Sequence, residues 1–189
     1  MKRAVFVHGK TKITQEIKAV VPLAEYRLLA ETHNAMEALR MIHRALPDLI
    51  VMGWNLTGLS GADFLQTLMD QRLCPVIVVL GEEEYNLYND VIQAGAELLL
   101  YPFRAIDVLI AIKGAEYRFD RENQYNAKLN GLEQELKTRR LVYQAVLRII
   151  KECGMDEETA YACLRSQAMT TRKNIRSVAQ QVIQGMWLP

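Results

Sequence analysis

Proline is scarce in this chain and unevenly placed: there are five in 189 residues, and none between Arg104 and Trp187. That long stretch keeps every backbone donor a helix needs. Cysteine is scarcer still. Cys74, Cys153 and Cys163 have no metal-ligand spacing and no even-numbered disulfide framework, and His8, His33 and His43 lie far upstream of the last two. The thiols therefore read as reduced and structural, with no metal and no cofactor expected. Also missing is any apolar run near the roughly 20 residues that span a bilayer. The opening MKRAVFVHGKTK lacks a signal-peptide cleavage pattern, so a cytoplasmic protein without a membrane partner is expected. No nucleophile–base pair, metal cluster or phosphate loop is present, which speaks against an enzyme.

Acid is absent from one place in particular. Beyond Glu158 there is none, although the whole chain carries a net charge of only +1. Residues 1–136 sum to −4 and residues 137–189 to +5. A basic end on an acidic body points to a polyanion as partner of that end, with a solvated helix face as the plain alternative.

What is there begins with alternation. Ala4–Val7, Arg27–Ala30, Leu49–Met52, Val76–Val79 and Leu98–Leu100 read as five short strands, the central ones continuously apolar as in parallel strands covered on both faces. Helical patterns lie between them at Thr14–Glu25, Asn34–Ala45, Ala62–Gln71 and Asn86–Ala94. Pro47, Gly58, Gly61, Pro75 and Gly95 punctuate the joins. Strands alternating with helices give an α/β fold with a flavodoxin-like, doubly wound sheet of five parallel strands.

From about Ile106 the pattern is helical throughout. Leu129, Leu132, Leu136, Tyr143, Val146 and Ile150 follow steps of three and four, with Arg139 filling one step, which is a short heptad seam for a homodimer. Gly154 suits a helix C-cap, and Asp156, Glu157 and Glu158 suit the first turn of the next helix. A polar TTRKN turn leads to a last helix carrying Ile175, Val178, Ala179, Val182 and Ile183 on one face.

PDLIVMGWNLTGLSGADFL, CPVIVVLGEEE and QAGAELLLYPF resemble the receiver domain of bacterial response regulators. The resemblance implies an acid pair after strand one, a phosphoacceptor aspartate after strand three, a hydroxyl after strand four and a lysine after strand five. This chain has His8, Gly9 and Lys10, then Gly53, Leu80 and Tyr101 at those places. The expectation is a pseudo-receiver that takes no aspartyl phosphate, with a cis peptide at Tyr101–Pro102.

RRLVYQAVLRIIKECGMDEETAYACLRSQAMTTRKNIRSVAQQVI resembles the ANTAR domain of the AmiR and NasR antitermination regulators. The matching positions are Ala145, Gly154, Asp156, Glu157, Ala160, Tyr161, Leu164, Arg165, Ala168, Met169, Val178, Ala179, Val182 and Ile183. The chain departs at Val146 and Leu147, where many members have Lys-Gly. The implied architecture is a pseudo-receiver domain (1–116), a coiled-coil helix (117–138) and a small three-helix ANTAR domain (139–189).

The implied function is transcription antitermination. A dimer joined through Leu129, Leu132, Leu136 and Tyr143 binds stem-loops in leader mRNA, under control of a regulatory partner protein. Arg165, Thr170, Arg172, Lys173 and Arg176 are the candidate RNA ligands. Tyr161 suits either base stacking or the core, and Trp187 either stacking or capping. A DNA-binding response regulator and a protein-interaction adaptor remain as alternatives.

Overall fold

Strands β1 (Lys2–Val7), β2 (Tyr26–Thr32), β3 (Leu49–Gly53), β4 (Val76–Leu80) and β5 (Glu97–Leu100) form one parallel sheet in the order β2-β1-β3-β4-β5. The computed structural model describes residues 1–189, the Thr11 side chain excepted. LIVMG and VIVVL are buried at every position because both faces of β3 and β4 are covered. The period of two then sorts their side chains. Ile50, Met52, Val78 and Leu80 pack with Ile42 and Phe64 on one face, while Val51, Val79, Ile17 and Ile112 share the core on the other.

The crossover helices are α1 (Thr11–Val20), α2 (Ala35–Ala45), α3 (Gly61–Gln71) and α4 (Tyr88–Ala94). Asn34 and Ser60 cap α2 and α3 by accepting from the Glu37 and Asp63 amides. The two halves of the sheet are wound in opposite senses from the β1–β3 junction, so loops at the carboxyl ends of these strands line a crevice.

Two helices differ from the sequence expectation. The segment Thr14–Glu25 is not one helix: α1 stops at Val20, and Val21–Ala24 forms a 3₁₀ turn around Pro22. Proline has no amide proton to extend the α-helical ladder. Similarly, Glu82–Leu87 is 3₁₀ and only Tyr88–Ala94 is α-helical.

Helix α5 runs unbroken from Ala105 to Cys153 and is followed by α6 (Glu157–Thr171) and α7 (Ile175–Ile183). The chain divides into two compact units, Met1–Asn123 and Gln124–Pro189, so residues 117–138 are shared between them. In the second unit, Ala145, Ile149, Ala160, Leu164, Val178 and Val182 are fully buried against one another. Gly154 turns the chain with φ 69° and donates to the Ile150 carbonyl at 3.0 Å. This is the left-handed position that favours glycine. Asp156 caps α6 through the Thr159 amide at 2.8 Å.

The heptad seam is shorter than the spacing suggests. Val146 and Ile150 turn into the core of the second unit. Leu129, Leu132, Leu136 and Tyr143 are 59%, 50%, 64% and 57% exposed in the single chain.

Candidate nucleic-acid interface

At the crevice of the sheet, the residues that follow β1, β3 and β4 fill the space themselves. The His8 ring lies over Gly53: a Cβ on Gly53 would sit 2.5 Å from His8 Cδ2 and 2.7 Å from Nε2. The ring is held by the Lys10 amide, which donates to Nδ1 at 2.9 Å. Burial, then the charge of Lys10, push the imidazole down to about 4, so it stays neutral with its proton on Nε2. Lys10 reaches across the loop, its Nζ 3.2 Å from where a Cβ on Gly81 would lie.

Glu84 is buried beside it, accepting from the Gly81 amide at 2.8 Å and from the Asn55 side-chain amide. Leu80 is fully buried in the core. Tyr101 precedes a cis Pro102, stacks edge-on against Phe103 and accepts on its carbonyl from the Tyr85 hydroxyl at 2.6 Å.

The divalent cation of receiver chemistry does not fit here. Such a cation wants several free carboxylate oxygens. His8, Gly9 and Gly53 supply none, and both oxygens of Glu84 are engaged next to a lysine.

Glu84, Asn55 and Lys10 were not legible as a cluster. Glu82, Glu83 and Glu84 look alike in sequence, and only the 3₁₀ turn decides which of them points inward. The three-residue repeat of that turn was the available signal.

In the second unit, α6 sets the candidate RNA ligands. Tyr161 and Arg165 are one turn apart, and Arg172 follows Arg165 by two turns at the helix end; at about 100° per residue all three fall on one side. The Arg165, Arg172 and Lys173 side chains make no hydrogen bond or ion pair among the described residues. Arg172 has φ 51°, and the Lys173 amide returns to the Ala168 carbonyl at 3.0 Å. Asn174 then caps α7 through the Ser177 amide at 2.8 Å.

Two candidates sit differently. Thr170 lies about 140° round the helix from Arg165 and donates its hydroxyl to the Ser166 carbonyl at 3.0 Å. Arg176 is half-buried and donates to Gln134 Oε1 on α5 at 2.8 Å. Trp187 packs against the core of this unit.

Tyr161 also borders a groove of about 700 Å³ beside α5, together with Glu135, Val142, Tyr143, Glu157 and Glu158. Arg139 lines the same groove, so its polar rim carries both signs of charge.

Comparison with family models matches residues 6–112 to the response regulator receiver domain. The chain belongs to the response regulator receiver family. Residues 130–183 match the ANTAR domain, so the receiver carries an ANTAR unit at its C-terminal side. Over all 189 residues the chain is 24% identical to the transcriptional regulatory protein PdtaR of Mycobacterium tuberculosis, covering 92% of that protein. It is 34% identical to the chemotaxis protein CheY of Pseudomonas aeruginosa over 80 residues, which are 40% of this chain and 64% of that one.

The receiver fold is shared with the signal receiver domain of a putative Luxo repressor protein from Vibrio parahaemolyticus. That structure has a TM-score of 0.56 at 24% identity, over 66% of this chain and 96% of that one. A CheY-like receiver from Methanospirillum hungatei gives 0.55 at 22%, over 65% and 98%. Among the described residues no helix is long and apolar enough to cross a membrane.

Proposed function

We propose that this receiver–ANTAR chain is a transcription antitermination regulator that binds stem-loops in leader RNA and so prevents an overlapping terminator from forming. The observation that carries this reading is the row Arg165–Arg172–Lys173, unpaired and solvent-facing in a segment with no acid beyond Glu158. Guanidinium groups free of internal partners suit the phosphates and unstacked bases of a loop, which offers edges that an A-form duplex hides. The relationship to PdtaR, a transcriptional regulatory protein, is consistent with that role.

Two copies act together, joined by the exposed Leu129, Leu132, Leu136 and Tyr143 row, and each copy holds one hairpin. Control does not pass through aspartyl phosphate, because position 53 has no carboxylate and the His8 ring stands in its place. A regulatory partner protein, engaging the receiver-like unit in the cytoplasm, supplies the signal instead. The chain works by binding and not by catalysis.

The test is binding of the full chain to an RNA with two adjacent stem-loops and to duplex DNA of matching length. Arg165→Ala and Arg172→Ala are each expected to weaken RNA binding about tenfold, equivalent to about 1.4 kcal/mol. The affinity should also fall steeply as salt rises. Equal binding to duplex DNA, or wild-type affinity in both variants, overturns the reading.

A further inference from the structure

The groove of about 700 Å³ in the second unit falls within the range of about 300–1,000 Å³ typical of small-ligand sites. Its floor is aliphatic, made by Val142 and Val146 of α5 and Ile175 of α7. Tyr143 and Tyr161 line it from α5 and α6. They are 57% and 46% exposed, and neither hydroxyl makes a hydrogen bond among the described residues.

The charge of the lining is lopsided. Glu135, Glu157 and Glu158 face a single cation, Arg139, which leaves a net of −2. Arg139 is already satisfied by Glu135 at 2.7 Å. Glu157 and Glu158 make no ion pair among the described residues. As first-turn acids they favour the α6 dipole, and that role accounts for their charge. It does not account for the aromatic and aliphatic surface beside them. At about 100° per residue, Glu157 and Glu158 fall on either side of Tyr161, roughly 40° and 60° from it. A positive group placed there meets two carboxylates and an aromatic ring together.

We propose that this groove binds a small organic monocation with an apolar body, an aralkyl amine in chemical class. Its ammonium group sits between Glu157 and Glu158 beside Tyr161, and its body lies on Val142, Val146 and Ile175. The α6 N-terminus carries about half a positive charge, which opposes a cation, but two full carboxylates outweigh it. An anion finds only Arg139, whose charge Glu135 already answers. The site does not rest on the RNA reading or on pairing of copies. Val142, Ile175, Glu157 and Glu158 belong neither to the basic row nor to the Leu129–Tyr143 row.

The test titrates the full chain, without RNA, with three probes that share one body: 4-phenylbutylammonium, 4-phenylbutanol and 4-phenylbutanoate. Methyl resonances of Val142, Val146 and Ile175 report occupancy by NMR, and those of Val5 and Ile50, buried in the sheet, serve as reference. The ammonium is expected to bind about fivefold more tightly than the alcohol, as two exposed ion pairs allow, and the carboxylate more weakly than either. Glu157→Gln combined with Glu158→Gln is expected to bring the ammonium to within about twofold of the alcohol, whose own affinity stays unchanged. Circular dichroism checks that α6 persists in this variant, and the three probes on the parent protein decide the charge preference without it.

Equal affinity for the three probes, tighter binding of the carboxylate, or no shift at the three groove residues overturns the proposal. So does a preference for the ammonium that survives in the folded double variant.

Discussion

His8 and Gly53 occupy one volume between them. A single methylene at position 53 already falls inside the van der Waals surface of the ring, and the Lys10 amide holds that ring in place. Gly53→Asp is therefore expected to destabilise the receiver-like unit by about 1–3 kcal/mol, read as a lower urea midpoint. It should also fail to gain mass with acetyl phosphate and magnesium. A second expectation concerns acid. The imidazole titrates near its usual 6.5 when unfolded and at about 4 when folded. Above pH 6.5 neither state binds the proton and the full stability is present. As pH falls from 6.5 through 4, the unfolded state takes up the proton first, and stability is lost at up to about 1.4 kcal/mol per pH unit. In His8→Asn the loss attributable to this group should disappear from urea titrations between pH 7 and 4.5.

Elements carry the next lesson, and α6 states it clearly. Its end is set by Arg172 in the left-handed region, where a Cβ costs roughly 1 kcal/mol. Arg172→Gly is expected to raise the stability of the helical unit by about that amount in thermal unfolding while lowering affinity for stem-loop RNA. A variant that gains stability and loses binding separates the two roles of the position.

Strands β3, β4 and β5 were legible because each is an apolar run bounded by proline or glycine, and Gly154 and Asp156 announced the turn into α6. The two 3₁₀ segments were not, since stretches of four and six residues with period three look like part of an α-helix. Val146 also misled. Its seven-residue spacing fits the seam, but the packing of α6 and α7 onto α5 claims it for the core. Among the RNA candidates, Arg165 and Arg172 stand free as their charge suggested. The tie of Arg176 to Gln134 joins residues 42 apart, and no local pattern encodes it.

At the scale of the whole molecule, function turns on number as much as on chemistry. One ANTAR unit offers one basic row, and the proposed dimer would offer two. On that proposal the second hairpin of a tandem leader would bind at a raised effective concentration. Leu136→Asp, which puts a charge on the most exposed leucine of the seam, is expected to lower affinity for a two-hairpin RNA by about 10²-fold. It should leave affinity for a single hairpin within about twofold, since the residue lies outside the basic row. Titration of the two RNAs by fluorescence anisotropy checks both numbers.

The mutual exclusion at the crevice has a historical reading too. An aspartate at position 53 is blocked while His8 remains, and replacing His8 by a small residue first leaves a void over Gly53. Each single step back toward a phosphoacceptor thus passes through a less stable protein. Packing alone therefore holds His8 and Gly53 together against single substitutions at either position.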